Sequence, residues 1–529
     1  MGGVYENKKD NFIFKSSILI SACIFIWALF FQQGFNDIVN SALDWISDNL
    51  SWFYSGLMVS FFVFCIWLFF SKFRNIKLGD DDSKPEFSNI SWFAMLFSAG
   101  IGIGLVFWGV SEPLMHYLNP LGMTGGTEDA KIFAFKKSFL HWGISAWACY
   151  SVLALAIAYM HFRRKKPALI SSLLIPLIGE ERARGTIGKV VDILTIFATI
   201  SGIVTSLGMG TLQINSGLNY LFGIPETKVV QITIIAIITV LFLISACTGV
   251  KKGIKYLSNL NMFFAVMLLL AAMIVGPFKE MVMNLGSGMV NYFVALVGEN
   301  NNIFLNGPWY KQWTLFYWGW WIAWAPFVAI FIARVSKGRT IKEFIAGVLC
   351  VPAGFCLIWF TVFGTMGMNV PTTVASLAIQ KIETAFFVIF NEYPMGFGIS
   401  ILAVILLFTF FVTSADSATY VLAVIASNGD NNPSNVRKII LGVIQSSLTI
   451  VLLFAGGLQM VQNASILMAL PFGVIMMLTM IAFRKELKTS EVYVNIKVRS
   501  SDKHLERYKE RYKEKAYGIK VTKHRVKEV

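Results

Sequence analysis

Apolar runs of about twenty residues recur along the whole chain, separated by short polar stretches. A run of that length crosses a bilayer as a helix. The pattern predicts twelve spans, at 16–38, 52–71, 91–116, 139–162, 190–221, 229–248, 257–276, 312–334, 342–364, 396–427, 436–456 and 464–483. Between the seventh and eighth, 277–311 reads as an outer connecting segment carrying an amphipathic helix. The polar start MGGVYENKKDNF runs directly into the first span with no small-residue cleavage site, so it does not read as a cleaved signal.

Composition and charge sharpen this picture. The 529 residues are 56% apolar and 14% charged, whereas soluble domains carry roughly 25% charged residues. Twelve spans place both termini on one side of the membrane. If that side is the cytoplasm, its loops, the tail aside, hold 23 Lys and Arg against 7 in the outer loops, which is the positive-inside asymmetry of a multi-pass cell-membrane protein. From Arg484 onward a basic tail carries 15 Lys and Arg against 7 Asp and Glu. Its stretch SDKHLERYKERYKEKAYGIK reads as a short charged helix, either a solvated topology anchor or a lever on anionic lipid. Nucleic acid is not an expected partner. Six cysteines, at 23, 65, 149, 247, 350 and 356, form no CxxC pair and suggest neither a metal site nor a disulfide framework.

Four stretches depart from plain apolar helix. SAGIGIGLVFWGVSEP, 98–113, has glycines at 100, 102, 104 and 109 before Glu112-Pro113. Glycine at every second position is poor helix, at about 1 kcal/mol each relative to alanine. It suits either close helix packing or a broken helix whose freed backbone lines a site, tolerated at membrane depth only beside a cavity. HWGISAWACY, 141–150, read as one helix, projects Trp142, Trp147 and Tyr150 within one arc of about 140°. These rings reach from the span end well into its interior, as belt, core or binding wall. YWGWWIAWAP, 317–326, places Trp318, Trp321 and Trp324 on one drifting face, with Pro326 loosening the helix behind them. Facing aromatic walls make a box, and a box suits cation–π capture of a quaternary ammonium at roughly 0.5–2 kcal/mol per desolvated ring. FFVTSADSATY, 410–420, offers Thr413 and Ser414 with Asp416 close by. Such hydroxyls either bond back to the helix or join freed carbonyls in an oxygen cage for sodium. A membrane enzyme would have to use Glu112, His141, Asp192 and Asp416, spread over four spans without a joining motif, so no enzymatic activity is expected.

Together these motifs resemble the betaine/carnitine/choline transporter (BCCT) family over about residues 12–485. The run WTLFYWGWWIAWAPFVAIFIARVSKGRTIKEF, 313–344, matches the family signature almost without interruption, and GIGIGLVFWGVSEP, HWGISAWACY and TSADS fall at the expected places. The resemblance implies an all-α membrane protein of LeuT type. A cytoplasmic N-terminus (1–15) and two extra helices with their loop (16–90) precede inverted five-helix repeats at 91–276 (spans 3–7) and 312–483 (spans 8–12), joined by 277–311 and followed by a cytoplasmic tail, 484–529. It also implies a homotrimer. Trp142, Trp147, Tyr150, Trp320, Trp321 and Trp324 match the aromatic box of sodium-coupled betaine carriers, and Phe107 a ring that gates it. The substrate carboxylate would face backbone near Gly100, Gly102 and Gly104. One sodium site would use Thr413, Ser414 and the carbonyls of Phe410, Ser98 and Ile101. A second matches at Thr199 and Phe327, but Ile203 stands where the family has a further threonine.

Coupling and cargo follow from departures within the family. Sodium-free exchangers place an arginine in span five and a methionine in span eight. Span five here has no Arg, Lys or His, and Val328 stands at the methionine position. Choline-type relatives tend to carry Asp where this chain has Gly104. The expectation is secondary active uptake of glycine betaine with sodium as coupling ion and no cofactor. The alternatives are choline uptake, driven by protons or sodium, and carnitine or butyrobetaine exchange.

Overall fold

The computed structural model describes residues 11–100, 102–248, 251–298 and 307–499. In lipid a backbone can satisfy its own polar groups only as helix or closed barrel, and among the described residues this chain is all-α, with one isolated bridge between Lys77 and Thr340 and no strand. The principal helices are α1 (Phe12–Phe30), α2 (Gln32–Phe70), α3 (Asn89–Gly100), α4 (Ile103–Leu118), α5 (Glu128–Trp142), α6 (Ile144–Ala158), α7 (Thr186–Phe222), α8 (Lys228–Thr248), α9 (Lys251–Val275), α10 (Phe278–Val297), α11 (Phe316–Val335), α12 (Ile341–Met368), α13 (Gly396–Ile425) and α14 (Asn435–Arg499).

Among the described residues nine helices are long and apolar enough to cross a membrane, or ten if the pair Asn259–Val275 and Phe278–Leu296, bent by 113°, is one span. The expectation of twelve differs from this at three places, each with a physical cause. The third span is two short helices, α3 and α4, interrupted at the glycine run. The seventh turns sharply into α10. The eleventh and twelfth form one rod, α14, broken at Gly456 (φ −161°, ψ 24°) and Gly457 (φ 63°, ψ −148°), where only glycine takes the left-handed value without strain. The charged stretch of the tail beyond Arg499 lies outside the described residues.

Hydropathy alone does not separate the centre of the bundle from its rim. Apolar windows within Glu128–Arg163 and Pro308–Val335 are 94% and 89% buried, whereas those in α1 and α8 are 22% and 28% buried and face outward. The centre is built where α6 packs on α11, α4 on α12 and α5, and α7 on α13 and α14. The N-terminal helices brace the last rod from outside. Gln32 Nε2 donates to the carbonyls of Phe454 and Ala455 at 2.8 and 2.9 Å, and Asn36 Nδ2 donates to that of Ala455 at 2.7 Å. These are carbonyls that the break at Gly456 takes out of the helical ladder. Tyr54 Oη, fully buried, donates to the Ile466 carbonyl at 2.7 Å.

A polar knot ties the loop before α3 to the turn between α11 and α12. Leu78 N–H donates to the Arg339 carbonyl, Gly338 N–H to that of Leu78, and Ile341 N–H to that of Ile76, at 2.8, 2.8 and 3.0 Å. The Arg339 guanidinium lies 3.8 Å from the Trp92 ring centre and donates to Asn89 Oδ1 at 2.8 Å and the Phe87 carbonyl at 3.0 Å. Thr340 and Glu343 close a reciprocal cap at the start of α12. Arg339→Ala should destabilise the protein by about 2–4 kcal/mol through the lost stacking and charge-assisted bonds. A lowered melting temperature of the purified protein in detergent is the expected readout, and an unchanged one contradicts the role given to this knot.

Candidate functional site

Each wall of the site owes its position to a local feature of the chain. The helix that carries the tryptophan run is entered through a wide π turn, Lys311–Leu315, and then runs unbroken through Pro326 to Val335. The loosening expected at Pro326 lies instead at that entry. At 100° per residue, Trp320, Trp321 and Trp324 point at 0°, 100° and 40°, within one arc. Trp320 stacks on Trp321 at 4.8 Å between centroids, and Trp324 meets Trp320 at 6.1 Å. Trp318 does not share this wall, as its step of three had suggested. Two such steps carry it 120° away from Trp324, and its ring packs against His141 at 5.8 Å.

The second wall departs from expectation in a different way. Trp142 ends α5, and Gly143 (φ −87°, ψ −144°) separates it from α6, so Trp142 does not share a helix with Trp147 and Tyr150. The Tyr292 hydroxyl, from α10, caps the break by accepting the Ile144 N–H at 2.8 Å. A Cβ on Gly143 would lie 2.6 Å from that hydroxyl, so the break needs glycine. The single-helix projection therefore fails for Trp142, yet the rings still converge. Trp142 meets Trp321 at 4.9 Å and Trp320 at 6.0 Å, Tyr150 meets Trp321 at 6.1 Å, and Trp147 meets Tyr150 at 5.6 Å. Trp142, Trp147, Tyr150, Trp320, Trp321 and Trp324 are each at most 4% exposed, which excludes a lipid-facing aromatic belt.

The glycine run supplies the floor. A Cβ on Gly104 would come within 2.6 Å of Trp320 Cη2 and 2.9 Å of Trp142 Cη2, so the bare backbone is what lets both ring tips approach. One on Gly102 would meet Ser414 Oγ at 3.5 Å and Trp324 Cη2 at 3.8 Å. Gly109 serves the other use, close packing, because its Cβ would meet Trp359 Nε1 at 2.6 Å. Helix α4 starts at Ile103 with no side-chain cap; Leu105 N–H turns back to the Gly102 carbonyl at 3.1 Å, and the two amides before it, of Ile103 and Gly104, precede any intrahelical acceptor. Phe107, 1% exposed, meets Trp108 at 5.0 Å, and Trp108 reaches the box rings through Phe316 and Tyr317.

The donors of the box are unevenly satisfied. Trp321 Nε1 donates to the His141 carbonyl at 2.8 Å, Trp320 Nε1 to the Gly202 carbonyl at 3.4 Å, and Trp142 Nε1 to Glu112 Oε2 at 2.8 Å. Trp324 Nε1 and the Tyr150 hydroxyl are buried without a partner among the described residues. Beside the box lies a cluster that had looked scattered along the chain. Glu112 Oε1 is 2.7 Å from His141 Nδ1, and Glu112 Oε2 accepts the Tyr317 hydroxyl at 2.5 Å. His116 Nε2 is 3.4 Å from Oε1 without a hydrogen-bonding angle. Asp192 and Asp416 stay apart from it, bonded to Ser171 and Ser245 respectively. Glu112 and His141 were visible as ionisable residues in apolar spans, which pair when buried. Tyr317, 5.9 Å from Trp321, and Phe360, 4.9 Å from Trp142, carried no such signal.

Of the residues expected at sodium, Ile101 lies outside the described residues and Ser98 is described only as helical backbone near the end of α3, as is Gly100, expected at the substrate carboxylate. Thr413 Oγ1 donates towards the carbonyls of Thr409 and Phe410 at 3.0 and 3.1 Å and accepts Asn261 Nδ2 at 3.0 Å. Ser414 faces Gly102, next to the break between α3 and α4. Thr199 bonds back to Thr195 at 2.8 Å, Ile203 is fully buried, and Phe327 packs on Trp324 at 5.6 Å.

This geometry is that of a multi-pass membrane protein with a buried cluster of aromatic rings beside two interrupted helices. Residues 12–492 match the model of the BCCT, betaine/carnitine/choline family transporters, and the chain belongs to that family. It is 46% identical over 499 residues to the glycine betaine transporter OpuD of Bacillus subtilis, covering 92% of this chain and 97% of that one. It is 39% identical to a probable glycine betaine transporter of Desulfitobacterium hafniense, over 91% of this chain and 98% of the relative, and 39% identical to the ectoine/hydroxyectoine transporter of Virgibacillus pantothenticus, over 91% and 97%. Among solved structures, MhsT in complex with L-phenylalanine overlays with a TM-score of 0.48 at 18% identity, over 74% of this chain and 89% of that one.

Gly104→Val should force Trp320 and Trp142 apart and destabilise the protein by about 1–3 kcal/mol, the usual range for overpacking. The expected readouts are a shifted intrinsic tryptophan emission and a lower melting temperature, and a variant that matches the parent in both removes the floor assigned to Gly104.

Proposed function

We propose that this transporter takes up glycine betaine by sodium symport through alternating access. The observation that carries the reading is the convergence of Trp142, Tyr150, Trp320, Trp321 and Trp324 into a buried box floored by bare Gly104. A trimethylammonium has no N–H to offer, so stacked ring faces are the fitting receptor. The zwitterion's other end needs an anion site, for which the Ile103 and Gly104 amides at the uncapped start of α4 are the candidates. The absence of a carboxylate side chain at position 104 favours a substrate that brings its own. The relatives whose names specify glycine betaine support the same cargo.

Sodium fits the second half of the mechanism. Ser414 on α13 stands beside Gly102 at the break of the third span, with Thr413 the preceding residue, so an ion held by those hydroxyls and freed carbonyls would tie α13 to the floor of the box. Such an ion stabilises the substrate-ready arrangement by the difference in its affinity for the two states. Its inward movement contributes about 2.3 kcal/mol per 100 mV of membrane potential. The excess of Lys and Arg in alternate loops orients both termini towards the cytoplasm.

Trp321→Leu removes the ring that touches Trp142, Trp320 and Tyr150. It should abolish high-affinity betaine uptake in proteoliposomes while the protein remains in the membrane, and unchanged uptake rejects the box. Thr413→Ala combined with Ser414→Ala should raise the sodium concentration for half-maximal uptake at least several-fold. An unaltered sodium curve rejects that ion site, and full uptake without sodium favours exchange. Competition by choline, carnitine and ectoine in the same vesicles separates the remaining cargoes.

A further inference from the structure

Glu112 is fully buried and touches the box directly. Its Oε2 accepts the Trp142 indole N–H at 2.8 Å and the Tyr317 hydroxyl at 2.5 Å, while Oε1 faces His141 Nδ1 at 2.7 Å. An indole nitrogen can only donate, and the Tyr317 hydroxyl donates beside it. In the tautomer where the Thr314 hydroxyl, 3.1 Å from His141 Nε2, donates to that nitrogen, the His141 proton lies on Nδ1 and faces Oε1. Every partner then donates, which suits an acceptor-only carboxylate. A buried carboxylate needs compensation. The Lys137 ammonium lies 5.8 Å from the Trp309 ring centre, and that ring lies 6.4 Å from His141.

The acceptors of the other indoles differ. Trp321 and Trp320 donate to neutral carbonyls, and Trp324 has no partner among the described residues. Trp142 alone of these four donates to a carboxylate. A hydrogen bond to an anion draws the proton outward and leaves more electron density on the ring, and cation–π attraction grows with the negative charge over the ring face. The carboxylate charge also acts through a dry medium, where it is weakly screened.

We propose that Glu112 is a specificity-determining positioning residue: by holding and polarising Trp142 it makes the box select a quaternary ammonium over an uncharged group of the same shape. This rests on the box reading above and deepens it. Glu112 touches no substrate and acts through Trp142.

The test compares glycine betaine with 3,3-dimethylbutanoate, in which carbon replaces the quaternary nitrogen. Purified parent and Glu112→Gln proteins are reconstituted, and the KM and kcat for betaine and the Ki of the carbon analogue are measured. Glutamine keeps the shape and one acceptor oxygen but removes the charge. The KM for betaine should rise about tenfold, within the span of one desolvated cation–π contact, with kcat and the Ki of the analogue changed less than about twofold. Equal weakening of both compounds means that Glu112 only holds the rings in place and overturns the proposal, as does no change in either. Trp142→Phe, which keeps a ring but has no N–H, is the second variant. It should lose the same discrimination, and retention of the parent ratio of Ki to KM overturns the proposal even if Glu112→Gln does not fold. Parent protein that neither transports nor binds betaine overturns the box reading and this inference together, a result distinct from a parent that discriminates and a variant that still does.

Discussion

Inside a bilayer, a backbone amide or carbonyl without a partner costs several kcal/mol. A chain that interrupts its helices there must therefore supply a substitute at every interruption, and the architecture follows from where the substitutes are. At Gly143 the substitute is the Tyr292 hydroxyl, from the helix that turns off the seventh span. At Gly456–Gly457 it is a pair of amide side chains from α2. At the glycine run the first amides of α4 have no side-chain cap, and this is the interruption that lies beside Trp324 and Ser414. Two breaks are sealed by side chains from other helices, and at the third no side-chain cap is found on α4 among the described residues.

The same economy governs the aromatic cluster. Indole rings are bulky, and four of them can share one small volume only if something opposite has no side chain. Gly104 gives way to Trp320 and Trp142, and Gly202 gives way to Trp324, whose Cδ1 would lie 2.6 Å from a Cβ at that position. Ring and glycine are thus complementary halves of one contact. Most of the polar ends of those rings are bonded although buried. Their acceptors are the His141 and Gly202 carbonyls and, for Trp142, a carboxylate.

Much of this is legible in the amino-acid order, and what is not has a physical reason. The all-helical membrane class, the breaks at the glycine run and the box residues can be read from apolar run length, GxG spacing and motif resemblance, because each is a local property. The separation of Trp142 from α6 is not legible. HWGISAW contains a single glycine, which a helix commonly tolerates, and the cap that sustains the break comes from Tyr292, 148 residues away. The union of Glu112 with His141 and Tyr317 is hidden for the same reason, since it joins three helices. Trp318 misleads because a step of three drifts by 60° per repeat, so that a ring two steps from Trp324 belongs to a different face. Span counting falters where span boundaries are made by angle, as at α9–α10, or by a glycine pair inside a continuous apolar stretch.

The bond between α2 and the break in α14 also bears on how the molecule comes into being. Gln32 and Asn36 leave the ribosome more than four hundred residues ahead of the carbonyls they cap. Those bonds cannot form until residues 454 and 455 have been made, so the seating of the break in α14 against α2 belongs to the last stage of assembly.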